Sequence, residues 1–181
     1  MAPKSLPASN RGIPAGAVAA SDPHRFRLLW VPALLVTMVD QAVKAWVVHA
    51  LPLFSVQMVV PGFFNLVHVR NTGGAFSLFA HAGLAWQRWL FVAIGAAALL
   101  VIVYLYRQAA AADVWSRLGF GLIFGGALGN LIDRVRYGNV VDFLDVYLGA
   151  HHWPAFNVAD AAISIGAGAI ILALLKPPAA G

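Results

Sequence analysis

Aspartates interrupt the apolar runs of this chain, and that feature constrains its folding more than any other. A membrane span needs about 20 mainly apolar residues to cross a hydrocarbon core of about 30 Å. Trp89 to Tyr106 approaches that length without a single charge. Three other runs fall short unless they take in an acid: Leu28 to Val39 stops at Asp40, Leu118 to Ile132 stops at Asp133, and Ala161 to Leu175 follows Asp160. The first, third and fourth helices are therefore expected to carry an Asp near one end. An ionisable group within a span is costly and marks a functional site by default.

Composition supports lipid as the solvent. Hydrophobic residues make up 61% of the 181 and charged residues 10%, against roughly 25% charged in soluble domains. The net charge of +5 does not point to nucleic acid, because the basic residues lie between apolar runs, where they set orientation. Cysteine is absent, which excludes disulfides, thiolate nucleophiles, Fe–S clusters and Cys-type zinc sites. Glutamate is absent too, so every acid is an aspartate, at positions 22, 40, 113, 133, 142, 145 and 160. A zinc-protease H-E-x-x-H motif is thereby ruled out.

Residues 1–24, rich in Pro, Ala, Ser and Gly and without periodicity, read as a disordered cytoplasmic tail. The apolar run after Arg25 and Arg27 continues past Asp40 to about Ala50, with no small-x-small site behind it, so it reads as a first span and not as a cleaved leader. The expected architecture is an all-α membrane protein of one domain, 25–176. Its four spans cover about 28–50, 86–106, 116–136 and 157–176, and a short cytoplasmic tail, 177–181, follows.

With a cytoplasmic N-terminus, Lys4, Arg11, Arg25, Arg27, Arg107, Arg117 and Lys176 lie inside, and Lys44, Arg70, Arg88, Arg134 and Arg136 lie outside. That modest bias agrees with the positive-inside tendency, and Arg25 and Arg27 abut the first helix, which usually dominates. Aromatic belts fit the same orientation, with Trp30, Tyr104, Tyr106 and Trp115 at one interface and Trp46, Trp86, Trp89 and Trp153 at the other. Asp40, Asp133 and Asp160 then share one depth, toward the outside. The outside segment 54–80 holds the β-forming run Phe63–Arg70 and a Thr-Gly-Gly turn, and is expected to form a strand or hairpin on the membrane surface. Val140–Leu148 is expected to lie along the interface.

Each polar motif has a purely structural reading. Gly125, Gly126 and Gly129 suit close helix packing; Asn130, Asp133 and Arg134 are not explained that way, and their spacing of three and four places them on one helix face. Asp40 and Lys44 are spaced for an ion pair, with Lys44 able to snorkel. Asn157 is a good helix cap, and Asp160 suits the positive end of the same helix. Asp142 could be a solvated loop acid. Asn71-Thr72-Gly73-Gly74 is turn-like. The six histidines show no metal-ligand spacing within a span.

No Cys nucleophile, Glu-based zinc site or G-x-S-x-G elbow is present. What remains is a carboxylate pair. Two close aspartates can share a proton, one activating water while the other donates to the scissile carbonyl, with no metal or cofactor. Nearness to a span favours Asp133 as a member. A proton-coupled carrier is the competing reading, but it needs an acid near the bilayer midplane reachable from both sides, and every candidate here lies toward one end. A non-catalytic assembly factor would leave the acids unexplained.

Five blocks in order then resemble the lipoprotein (type II) signal peptidases: Asp40 with Lys44; Asn71-Thr72-Gly73-Gly74-Ala75-Phe76; Gly125 to Arg134; Val140-Val141-Asp142-Phe143; and Phe156-Asn157-Val158-Ala159-Asp160. The resemblance runs from about residue 28 to 176. It implies a four-helix aspartyl endopeptidase of the bacterial inner membrane with a small extracytoplasmic sheet or cradle at the membrane surface. Such an enzyme cuts the signal peptide from prolipoproteins just before a diacylglyceryl-modified cysteine, with membrane lipids as its other partners. By motif position Asp142 and Asp160 resemble the catalytic pair. Asn71, Gly73, Asn130, Arg134 and Asn157 resemble groups that shape the site or hold substrate, and Asp40, Lys44 and Asp133 resemble supporting residues. The resemblance thus assigns Asp142 where span proximity favours Asp133. Asp133 is expected to pair with the adjacent Arg134, and the segment 54–80 to act as a lid or platform over the pair.

Overall fold

A computed structural model describes residues 23–73, 85–109 and 113–175. The tails expected at 1–24 and 177–181 lie outside them, apart from Pro23 and His24, and so does the part of the expected lid beyond Gly73. In chain order the elements are α1 (Pro23–Ala50), β1 (Val56–Val60), β2 (Phe64–Asn71), α2 (Ala85–Gln108), α3 (Val114–Tyr137), β3 (Val140–Leu148), β4 (His151–His152) and α4 (Val158–Leu174). The protein is mostly helical with one small antiparallel sheet, the combination expected.

Three helices are long and apolar enough to cross a membrane: Phe26–Ala50, Trp86–Gln108 and Val114–Tyr137. Their bounds fall within two residues of the segments expected there. The fourth, α4, has 17 residues, about 26 Å of helix, slightly less than a full hydrocarbon core.

Helix α3 packs against each of the other three helices, and its glycines are the reason it can. A Cβ added at Gly125 would stand 2.6 Å from the Ala33 carbonyl of α1, and one at Gly119 2.7 Å from the Gly166 carbonyl of α4. Small residues on one helix thus let two neighbours approach backbone to backbone, the mode expected where lipid supplies no hydrophobic drive between helices. Beside the α1–α3 seam Leu29, Ala33, Ile102, Tyr106 and Phe124 form a buried cluster.

Tyr106 is a correction to the expected aromatic belt. It is 4% exposed and packs edge-on against Phe120. Tyr104 stays exposed, because two residues along a helix turn the side chain roughly 200°. Trp30, Trp115, Trp46, Trp86, Trp89 and Trp153 are exposed as expected.

The sheet has the order β1-β2-β3-β4. Val140–Leu148 is therefore a paired strand and not a loop segment. Asn71 pairs with Val140 and Val69 with Asp142, with a bulge between Leu66 and Val69. On its far side β3 bonds to Phe156, just before α4. This sandwiching draws Asn71, Asp142 and Asn157 to one place.

Candidate active site

The site begins in the C-terminal halves of α1 and α3. Lys44 Nζ donates to Asp40 Oδ2 at 2.8 Å, to Asp133 Oδ2 at 3.0 Å and to Asn130 Oδ1 at 3.0 Å. An ammonium has three N–H donors, and all three are used. Lys44 is only 2% exposed, so it does not snorkel; two buried carboxylates hold it inside. The Asp40–Lys44 pair forms as its spacing predicts.

Asp133 finds its cation in Lys44 and not in Arg134, which corrects the expected pairing. The reason is directional: on a helix, adjacent side chains point about 100° apart. Asp133 faces α1, while Arg134 lies over the Phe91 ring and donates to the Asn130 carbonyl at 3.2 Å. Asp133 Oδ2 also accepts the Val141 N–H at 3.1 Å, which fixes where β3 starts. Asp40 Oδ1 accepts the Ala159 N–H at 3.0 Å, tying α1 to the positive end of α4. Both acids are wholly buried and fully engaged.

Asp142 and Asp160 sit on the other side of two asparagines. Asn157 opens α4 with a capping box: its side-chain oxygen accepts the Asp160 N–H at 3.0 Å, and Asp160 Oδ2 accepts the Asn157 N–H at 3.2 Å. Its amide also donates to Asp142 Oδ1 at 2.7 Å. Asn130 donates to Asp160 Oδ1 at 2.8 Å, and its oxygen accepts from both Lys44 and Asn157. A continuous chain of bonds therefore links Asp142, Asn157, Asn130 and Asp160 and is anchored on Lys44.

On the sheet side, Asn71 Nδ2 donates to Asp142 Oδ2 at 3.2 Å, and the Gly73 N–H donates to Asn71 Oδ1 at 3.0 Å. Arg134 is close enough to both Asp142 and Asp160 for their charges to act on its guanidinium.

Burial pushes the Asp142 carboxyl up to about 7, and the nearby Asp160 charge adds to the rise; the Asn71 and Asn157 amides and Lys44 pull the other way. A carboxyl that holds its proton near neutral pH beside a second carboxyl is equipped for general acid–base work.

All ten residues expected at the site converge: Asp40, Lys44, Asn71, Gly73, Asn130, Asp133, Arg134, Asp142, Asn157 and Asp160. Gln41 was missed. Its amide donates to Asp133 Oδ1 at 3.0 Å and to the Gly129 carbonyl at 3.1 Å, and the only signal for it is a polar side chain beside Asp40 in an apolar run. Among the described residues no group of three or more His, Cys, Asp or Glu side chains is arranged to hold a metal ion.

A family model described as signal peptidase (SPase) II matches residues 32–176. The lipoprotein signal peptidase of Oleidesulfovibrio alaskensis is 47% identical over 152 residues, covering 84% of this chain and 97% of that protein. The lipoprotein signal peptidase of Shewanella sp. (strain MR-4) is 51% identical over 148 residues, covering 80% and 84%. Two solved structures described as a bacterial membrane enzyme are each 34% identical. They superpose with TM-scores of 0.71 and 0.70 over 81% of this chain and over 86% and 91% of theirs.

Proposed function

The chain belongs to the signal peptidase II family, and on that premise we propose that it is a membrane aspartyl endopeptidase with Asp142 and Asp160 as its catalytic pair. Its substrate is a diacylglyceryl-modified prolipoprotein, cut just before the lipidated cysteine. All four helices cross the bacterial inner membrane as one domain, α4 included, with both termini cytoplasmic and the pair toward the extracytoplasmic side.

The observation that carries this reading is the bonded chain Asp142–Asn157–Asn130–Asp160, in which an asparagine amide donates to each acid; burial and the Asp160 charge raise the Asp142 carboxyl. Asp160 takes a proton from water, whose oxygen attacks the scissile carbonyl carbon, while protonated Asp142 donates to the carbonyl oxygen. The resulting gem-diol collapses. Its C–N bond breaks, the leaving amine receives the proton held by Asp160, and Asp142 recovers its own from a diol hydroxyl. Asn71, Asn130 and Asn157 hold the two carboxyls in place, Arg134 stabilises charge beside them, and Gly73 fixes Asn71. Asp40, Lys44 and Asp133 lock α1, α3 and α4 around the pair.

The test is cleavage of a lipid-modified prolipoprotein by purified protein in nanodiscs, with a chelator control. Wild type should cut with chelator present, while Asp142→Asn and Asp160→Asn, folded as judged by thermal unfolding, should not. Near-normal cutting by either variant removes that residue from the pair and brings Asp133 forward. A wild-type protein that never cuts favours the proton-coupled carrier.

A further inference from the structure

Three arginines that the catalytic site does not use converge at the outer end of α3. Arg70 of β2 lies 4.9 Å over the Tyr137 ring, and its Nη1 donates to Asn139 Oδ1 at 3.3 Å. Arg136 lies 5.3 Å from the same ring. Arg88 of α2 donates from Nη2 to the Val135 carbonyl, and its Cδ comes within 3.3 Å of where a Cβ on Gly138 would stand. All three thus meet at residues 135–139, where the chain leaves α3 for β3.

Among the described residues none of them has a carboxylate partner. The salt bridges among the described residues involve only Lys44 and His152, and Arg88 Nε is buried without a hydrogen-bond partner. The negative end of α3 accounts for Arg136, and an aromatic face favours a guanidinium. Neither accounts for three like charges gathered from three elements. Arg70 is also oriented: its Nε donates to His68 Nε2 at 3.2 Å, while His68 Nδ1 donates to the Leu51 carbonyl at 2.9 Å. The fourth arginine at this end, Arg134, belongs to the catalytic site.

Exposed aromatic residues flank the cluster. Trp86 and Trp89, beside Arg88, and Tyr137, between Arg70 and Arg136, are all exposed, as aromatic residues at a membrane interface are. We propose that Arg70, Arg88 and Arg136 form a binding site for the phosphate headgroup of an acidic phospholipid. Guanidinium forks match phosphate oxygens in pairs, and the acyl chains would lie along the exposed face of α2, past Leu90 and Ile94. Arg70 precedes Asn71, which donates to Asp142, so a bound headgroup would steady the strand that orients this acid. The inference rests on the membrane reading of the helices and not on the peptidase reading.

The experiment titrates the full chain in detergent with dioleoyl phosphatidylglycerol, dioleoyl phosphatidylcholine or inorganic phosphate, counting retained lipid by native mass spectrometry. Wild type should prefer the acidic lipid by about tenfold or more, and millimolar inorganic phosphate should not displace it. The double variant Arg88→Gln, Arg136→Gln should lose the preference, while Arg88→Lys, Arg136→Lys keeps part of it. Arg136 is exposed, so Arg136→Gln alone tests the site without threatening the fold and should weaken the preference several-fold. Equal retention of both lipids by wild type overturns the proposal, as does an undiminished preference in the Arg136→Gln single variant or the double Gln variant. Displacement by inorganic phosphate overturns the lipid assignment in favour of a soluble anion.

Discussion

Asn157 donates its side-chain amide to Asp142 at 2.7 Å, while its side-chain oxygen accepts the backbone N–H of Asp160 at 3.0 Å. One residue therefore caps α4 and sets the two acids relative to each other. Asn157→Ala should lose about 1 kcal/mol from the cap and on the order of a hundredfold in kcat through misplaced carboxyls. Asn157→Asp can still cap the helix, but it buries a third carboxylate against Asp142 and the Val141 carbonyl with no donor for either, so both stability and cleavage should fall, by more than in Asn157→Ala. Thermal unfolding and steady-state cleavage, measured on both variants, check this.

Asp142 holds its proton up to about 7 because it is buried and faces the Asp160 charge. In the proposed mechanism its proton is the one given to the substrate carbonyl, so cleavage should fall as pH rises through about 7. Asn71→Ala removes a donor that favours the ionised form, so this alkaline limb should move to higher pH. A pH–rate profile of both proteins decides it.

The same raised carboxyl has a consequence for stability. Above its unfolded value of 3.8, Asp142 binds more proton in the folded state than in the unfolded one. Its contribution is fully present below 3.8 and is lost as pH rises through about 7. Asp142→Asn, inactive by the reading above, should therefore gain in melting temperature over wild type more at pH 8 than at pH 5. A constant difference would contradict this.

Lys44 is the single cation between Asp40 and Asp133. Lys44→Met leaves both carboxylates buried without their counter-charge, a change that typically costs about 3–5 kcal/mol. A large drop in melting temperature in detergent is expected, together with loss of cleavage. Exposed arginines such as Arg136 should show no such drop.

Gly129 is where α3 touches Asp40: an added Cβ would stand 2.6 Å from Asp40 Oδ2. Gly129→Ala should cost about 1–3 kcal/mol by overpacking and lower cleavage by displacing the anchor. On α4, Gly168 has nothing within 4 Å of such a Cβ, so Gly168→Ala should be neutral or gain up to about 1 kcal/mol. Comparing the two melting temperatures separates packing from helix propensity.

Much of this site was legible because lipid leaves acids few places to be. Apolar runs that end at Asp40 and Asp133, or begin at Asp160, placed three acids at one depth, and Asn157 with Asp160 could be recognised as a cap. The order of five motif blocks then assigned roles to residues that spacing alone left open. Asp142 was such a residue, because a loop acid and a strand acid look alike until the strand's partner is known.

The apolar helices, the absence of cysteine and glutamate chemistry, the i,i+4 pair of Asp40 with Lys44 and the cap at Asn157 can all be read from the residues in order. These depend on residues within a turn or two of one another, or on composition. Tertiary structure decided that Val140–Leu148 is a strand paired with β2, that Lys44 and not Arg134 neutralises Asp133, that Tyr106 is buried, and that Gln41 joins the network. Each of those outcomes depends on which side chains of distant segments meet, and in a bundle drawn together by glycine seams that is set by how the helices turn and slide against each other, which no local spacing records.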